Sequence, residues 1–388
     1  MTDNLALLGA KPAFESPLRC GQNHFPDPTR YQAMFRGIFE RQYYNNNGPL
    51  HEQLQEKLCE FLKVRHAICT SNAMLGLMMA ADAQALQGEV IVPAFAPITT
   101  LQSLRWAGLQ PVFCDVDPIT GQLDAALVEP LINPNTSAIL AVNLWGGRCD
   151  GEALAAVAAC HGLRLYFDSA SALGSAPLAH IAGLDTVEVY SMHAEHILSA
   201  ADGGIVATNN DQIAQRLNAM RPSYNGAATA PIVRVANARL SEAQAAIALL
   251  NLEDFAHNRL HNLALWHAWQ SGLQAIPGIG LQQPQFTTAS NTEKVVLRVD
   301  EVRYGLSRDI LLQCLKAENV YARPCFNESL SSCFPKAVQH NYPVSHVLYR
   351  GLIEMPHGKT MTEQSVGQIC ELLGSFHHYR DRILPKHA

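Results

Sequence analysis

The sequence predicts an α/β protein, with one large domain built on a mostly parallel sheet and a smaller α+β domain after it. Three observations carry this reading. The 388 residues are enough for one large core and a second, smaller one. Helix-like and strand-like stretches alternate from about residue 52 to Asp168. The strand-like runs are apolar throughout, as in strands covered by helices on both faces.

In order, the helical stretch EQLQEKLCEFLK precedes the strand HAICT, and AMLGLMMAADAQAL precedes EVIVP. ITTLQSLRWAG then leads to PVFCDVD, DAALVEPLI to AILAVNLW, and GEALAAVAACHG to LRLYFD, which ends on Asp168. Apolar residues recur at helical spacing in the first member of each pair, and the second is a short apolar run. Past Asp168 the pattern changes: VEVYSM and GIVAT are two strands without a full helix between them. A single long helical stretch is expected from Leu240 to Ile276, capped by Ser241 with Glu242 supporting its first turn. KVVLRVD, SRDILLQCLKAEN and EQSVGQICELLGSF then suit the smaller α+β unit. The expected division is residues 1–254 for the large domain and 255–388 for the small one.

Composition excludes several classes of function. Charged residues make up 16% and apolar residues 48%, against about 25% charged in an ordinary globular domain, so much surface should be hidden inside the protein or between subunits. A net charge of −6 with no lysine- or arginine-rich run speaks against nucleic acid as a partner. The opening MTDNLALLGAKPAF has a short apolar run without a basic flank, and no later stretch is long and apolar enough to span a membrane. A soluble, cytoplasmic protein is expected. The ten cysteines show no C-x-x-C and no zinc spacing, so reduced thiols and no metal centre are expected.

Ligands of parallel sheets gather at the carboxyl ends of the strands, which directs attention to four constellations. Ser71-Asn72-Ala73 joins a strand to a helix, and a helix N-terminus suits either a simple cap or a phosphate. Asp168 ends an apolar strand, where a carboxylate needs a cation, a protonated ring nitrogen or a helix to cap. Ser191-Met192-His193-Ala194-Glu195-His196 brings together two imidazoles and a carboxylate able to trade protons near neutral pH. It lacks the i, i+4 histidine pair of a zinc helix, so it does not point to a metal. ANARLSEAQAAIAL contains the Ser241 cap but leaves Asn237 and Arg239 without an assigned task.

Taken in sequence, NNNGPLHEQLQEKLCEFLKVRHAI, PVFCDVDPITGQLD, NLWGG, ANARLSEAQAAI and ENVYARPCF resemble the sugar aminotransferases of the DegT/StrS type. These are a branch of the pyridoxal phosphate (PLP) fold-type I enzymes. The resemblance runs almost end to end. It implies that Asn72 and Ala73 lie in the turn that cradles the cofactor phosphate and that Ser191 is the phosphate-binding serine. It further implies that Asp168 keeps the PLP ring nitrogen protonated, and that Asn237 reaches the phosphate of a neighbouring subunit in a homodimer with shared active sites. Substrates of such enzymes are nucleotide-linked keto sugars, and the loop YARPCFNESLSSCF lies where specificity is expected.

The same resemblance exposes departures. The family reads S-F-H-A-T-K where this chain has Ser191 to His196, so His196 stands at the position of the lysine that forms the Schiff base. No lysine occurs between Lys63 and Lys294. The loop that carries the ring-stacking aromatic reads Pro93-Ala94-Phe95-Ala96-Pro97, and the position usually held by histidine or glutamine after D-x-A is Ser171. One branch, resembling the GDP-4-keto-6-deoxymannose 3-dehydratase, carries histidine at the lysine position and uses the pyridoxamine form, PMP. Three readings stay open at this point. In the first, PLP or PMP is held non-covalently by Asn72, Ala73, Asp168, Ser171, Ser191 and Asn237, with His196 as acid/base. In the second, the cofactor is lost and His193, Glu195 and His196 do cofactor-free proton transfer. In the third, the protein binds a sugar nucleotide without converting it.

Overall fold

The computed structural model describes residues 5–22, 25–45, 47–175, 186–221, 234, 236–282, 290–326 and 342–384. Strands are numbered β1 Leu18–Arg19, β2 His66–Thr70, β3 Glu89–Pro93, β4 Gln110–Cys114, β5 Thr136–Val142, β6 Arg164–Asp168, β7 Val187–Ser191 and β8 Gly204–Thr208. β9 Ile279–Leu281, β10 Val295–Val299, β11 Val320–Tyr321, β12 Arg323–Pro324 and β13 Leu352–Met355 follow. Of the helices, the site depends on α1 Pro28–Arg41, α2 Pro49–Leu62, α3 Ala73–Ala83 and α4 Ile98–Trp106.

The main sheet has seven strands in the order β2-β8-β7-β6-β5-β3-β4. β7, β6, β5, β3 and β4 run parallel, whereas β8 is antiparallel to both β2 and β7. The missing helix between VEVYSM and GIVAT is therefore a reversal of direction. It brings the start of β8 to the edge where the other six strands end, and Gly204 pairs with both Thr70 and Ser191. On one face, Ile68, Val187, Val189 and Val206 pack with Leu77 and Ala80 of α3. The opposite face is filled by Tyr190, Ile205 and Cys69 at one end and by Ile139, Leu165 and Phe167 at the other. Burial on both faces explains the continuously apolar strands; each such large side chain contributes about 1.5–3 kcal/mol on burial.

Two of the expected helices differ in the structure. DAALVEPLI yields only a four-residue α-helical turn, Ala125–Val128, followed by a 3₁₀ turn over Glu129–Leu131, because Pro130 has no N–H for a longer ladder. The long stretch from Leu240 divides into Glu242–Glu253 and Phe255–Leu273 at Asp254, whose carboxylate is pinned by Arg30 Nη1 of α1 at 3.0 Å. Ser241 does cap the first of these through a capping box with Gln244. Glu242 is instead drawn to α2, accepting from the main-chain N–H groups of Leu50 (3.2 Å) and His51 (2.8 Å).

A second sheet, β12-β13-β10-β9, is antiparallel throughout. It has its own core of Trp269, Leu297, Tyr304, Leu315, Ile353 and Phe376, which Leu5 also joins. No described helix is long and apolar enough to cross a membrane.

Candidate active site

The carboxyl edge of the main sheet gathers the candidate residues. Asp168 ends β6 in register with Val189, two positions before Ser191 at the end of the adjacent β7. On the far side of Ser191, Gly204 of β8 links it to Thr70, after which the chain turns through Ser71 into α3. Ser71 N donates to the carbonyl of Ala238 (3.1 Å), so the segment around Asn237 lies against this turn.

Asn72 adopts an extended backbone and caps α3, its Oδ1 accepting from Leu75 N at 2.9 Å. The amides of Ala73 and Met74, in the first turn, have no carbonyl within the helix to bind. Gly204 permits this turn to lie close: a Cβ there would come 2.6 Å from the Asn72 backbone and from Thr70 Oγ1. Ser191 is buried, and its hydroxyl accepts from His193 N at 3.2 Å. Asn237 stands in the left-handed region at φ 50° and is exposed, with Oδ1 accepting from Arg239 Nε at 2.9 Å.

Asp168 is buried at 2% exposure, and no cationic side chain hydrogen-bonds it among the described residues. Its Oδ2 accepts from Thr100 Oγ1 at 2.5 Å and its Oδ1 from Ala170 N at 3.2 Å. Burial raises its pKa above the ordinary carboxylate range; the Thr100 and Ala170 hydrogen bonds and the nearby His196 pull it partly back.

The six residues from Ser191 to His196 do not act as one cluster. β7 stops at Ser191, and the chain turns so that His196 N donates to His193 O at 3.0 Å. His193 is exposed, with Nδ1 accepting from Glu195 N at 3.4 Å. Glu195 carries a bidentate ion pair with Arg323 at 2.9 and 2.7 Å. The hydrogen bonds from Arg323 hold its carboxyl down at about 2. It is thus committed to Arg323 instead of orienting an imidazole. The carboxylate that does meet His196 is Glu293, fully buried, with Oε1 at 2.8 Å from Nδ1.

Sequence reasoning missed Glu293, Thr100 and Asn291. Asn291 Nδ2 donates to the carbonyl of Ser171 at 3.1 Å, so Ser171 contributes through its backbone. The only sequence signal for Glu293 is a polar N-T-E-K string before an apolar strand, which also describes an ordinary loop. Phe95, in the loop after β3, is wholly buried against Trp145, Phe326 and Tyr349, while Pro97 is the N-cap residue just before α4. Of the loop YARPCFNESLSSCF, residues 327–334 lie outside the described residues.

These groups fit a phosphorylated pyridine. A buried carboxylate without a cation is ready for a protonated ring nitrogen, and open helix N-terminal amides with a serine hydroxyl two strands away suit a phosphate. Among the described residues, no group of three histidine, cysteine, aspartate or glutamate side chains could hold a metal ion.

The comparisons agree with the fold. The family model for DegT/DnrJ/EryC1/StrS aminotransferases matches residues 28–374. The dTDP-4-amino-4,6-dideoxy-D-glucose transaminase of Shigella dysenteriae is 32% identical over 321 residues, covering 80% of this chain and 85% of that protein. The crystal structure of DesI in the presence of its TDP-sugar product superposes with a TM-score of 0.93 at 33% identity, covering 99% of both chains. The E. coli GDP-4-keto-6-deoxy-D-mannose-3-dehydratase with bound hydrated PLP has a TM-score of 0.80 at 17% identity, covering 92% of this chain and all of that one, a likeness of fold alone. By these matches, the chain belongs to the DegT/DnrJ/EryC1/StrS aminotransferase family.

Proposed function

We propose that this chain holds PLP or PMP without a covalent link and carries out proton transfer and elimination on a nucleotide-linked keto sugar, in the biosynthesis of a modified sugar. The observation that carries this reading is His196. It occupies the position where the resemblance expects the Schiff-base lysine, lies near Asp168, and is paired with a buried carboxylate. Imidazole cannot take the lysine's place as a stable covalent anchor, but it can move a proton near neutral pH.

When bound, the cofactor would supply an electron sink for charge developing on the attached sugar. In this reading Asp168 holds the ring nitrogen protonated. Asn72, the first-turn amides of α3 and Ser191 hold the phosphate, and Asn237 of a second copy completes it. His196 takes a proton from the substrate carbon and returns one to the departing hydroxyl. The relatives named above include a transaminase and a structure with a TDP-sugar product, which supports a nucleotide-linked sugar as the substrate class.

The test is uptake of PMP and PLP by purified protein, followed by absorbance after gel filtration and by mass spectrometry after borohydride treatment. The expected result is a cofactor that co-elutes with the protein, is released on unfolding, and leaves no borohydride-fixed adduct. A fixed adduct on a lysine would restore the orthodox transaminase reading. No uptake of either form would favour the cofactor-free alternative, for which Pro97 in place of a stacking aromatic and Ser171 in place of histidine or glutamine are the motivating observations.

A further inference from the structure

Of the two ring nitrogens of His196, one has a protein partner among the described residues. Nδ1 lies 2.8 Å from Glu293 Oε1. The other carboxylate oxygen, Oε2, accepts the main-chain N–H of Ile197 at 3.2 Å. A single carboxylate therefore grips both the imidazole and the backbone of the loop that carries it.

Glu293 is itself held on several sides. Its N–H donates to Asn291 Oδ1 at 3.1 Å, and Asn291 Nδ2 donates to the carbonyls of Ser171 (3.1 Å) and Leu173 (3.0 Å) in the turn after Asp168. Its carbonyl accepts from Gln22 Nε2, and the neighbouring carbonyl of Thr292 accepts from His357 Nε2 at 2.9 Å. Glu293 lies just before β10 of the second sheet, yet these bonds lock it to the turn that follows the main-sheet aspartate.

A carboxylate only accepts hydrogen bonds, so it keeps a proton on Nδ1 and leaves the lone pair of the neutral ring on Nε2. The ring is 13% exposed. We infer that Glu293 is the positioning residue of His196: it fixes the ring and the Nδ1–H tautomer, making Nε2 the atom that takes and returns the proton. The carboxylate then stabilises the imidazolium formed midway. No bond other than those to the transferred proton is made or broken at the dyad. This inference rests on the reading of His196 as the acid/base, while its test requires neither cofactor nor substrate.

The test is side-chain ¹⁵N NMR of protein labelled at histidine, with His196 assigned by the signals missing from His196→Gln. The expected spectrum of the unsubstituted protein above its histidine titrations shows His196 with the proton on Nδ1 and none on Nε2. Glu293→Ala should lose this form in favour of Nε2–H or a mixture, and Glu293→Asp should retain it. A predominantly Nε2–H ring in the unsubstituted protein, or an unchanged tautomer in folded Glu293→Ala, would overturn the inference. If Glu293→Ala does not fold, the unsubstituted spectrum alone decides. Protein that shows the Nδ1–H ring but takes up no cofactor would keep the dyad and sink the cofactor reading, so the two failures are distinct.

Discussion

Asp168 Oδ2 lies 2.5 Å from Thr100 Oγ1, so the carboxylate at the end of β6 is held from the first turn of α4. Helix and sheet thus share one hydrogen bond at the position where a cationic ring nitrogen is expected. Thr100→Val keeps the shape and removes the donor. The expected cost is about 1.5–3 kcal/mol at neutral pH, the range for a hydrogen bond to a charged group. Burial already raises the Asp168 pKa, and losing the hydroxyl raises it further. The penalty should therefore shrink as pH falls through the Asp168 titration, because the protonated form no longer needs the donor. Urea unfolding of both proteins at neutral and mildly acidic pH measures this; an equal penalty at both would contradict it.

The approach of α3 to the sheet is set by two glycines, and a methyl group is enough to disturb it. A Cβ at Gly204 would stand 2.6 Å from the Asn72 carbonyl and from Thr70 Oγ1, and one at Gly76 2.9 Å from Val189 Cγ1. Gly204→Ala should destabilise by about 1–3 kcal/mol, as overpacking does. It should also weaken retention of a phosphorylated ligand, since it pushes on the turn that offers the amides of Ala73 and Met74. Gly76→Ala presses on the sheet and should cost stability without the same loss of retention. Thermal unfolding together with phosphate-ligand titration separates the two effects.

Much of this architecture was legible because strands covered on both faces are apolar throughout, and because Asp168 and Ser191 terminate such runs. The register that places Asp168 beside Val189, two residues from Ser191, follows from strands that are adjacent in both sequence and sheet. The site's second half was hidden by sequence distance. Glu195 stands next to His196 in the chain and reads as its partner, but it turns to Arg323, 128 residues away. Glu293, 97 residues from His196, is the true neighbour, and nothing periodic or compositional marks it. The break at Asp254 was equally silent: no glycine or proline stands there, and only the distant Arg30 explains how the junction is anchored.

His51 gives the fold an acid-sensitive element away from the sheet edge. It is fully buried on α2, with Nε2 3.3 Å from Arg221 Nη1 and no partner for Nδ1 among the described residues. Burial, reinforced by Arg221, lowers its pKa from 6.5 to about 3. Because the folded-state value lies below the unfolded one, the unfolded chain binds the extra proton first. Stability is complete above the unfolded value and is lost as pH falls from there toward about 3. Between about pH 7 and about pH 5 this amounts to about 2 kcal/mol. His51→Gln keeps an acceptor for Arg221 and removes the titration, so its unfolding free energy should fall less over that interval. Matching pH slopes for the two proteins would refute the assignment.

Beneath the site lies a buried ion pair whose removal should be worse by halves than as a whole. Arg148 Nη1 is 2.7 Å from Glu188 Oε1, with side chains only 8% and 4% exposed. Arg148 also donates to Ser175 O (3.0 Å) and Tyr190 Oη (3.3 Å), and Ser169 Oγ donates to Glu188 at 2.5 Å. Glu188→Gln leaves the guanidinium uncompensated in a dry interior, and about 3–5 kcal/mol should be lost. The double change Arg148→Met with Glu188→Leu removes both charges together and should cost less than either charge-removing single change, because no ion remains to be desolvated. The consequence should extend to the site, since Ser169 adjoins Asp168 and its N–H donates to Val189 O at 2.8 Å. Glu188→Gln frees the Ser169 hydroxyl from its charged acceptor, so ligand retention at Asp168 should fall even in protein that remains folded. Denaturant titration of the single and double variants, paired with cofactor uptake, tests both parts; additive losses in the double variant would show that the pair is not a coupled unit.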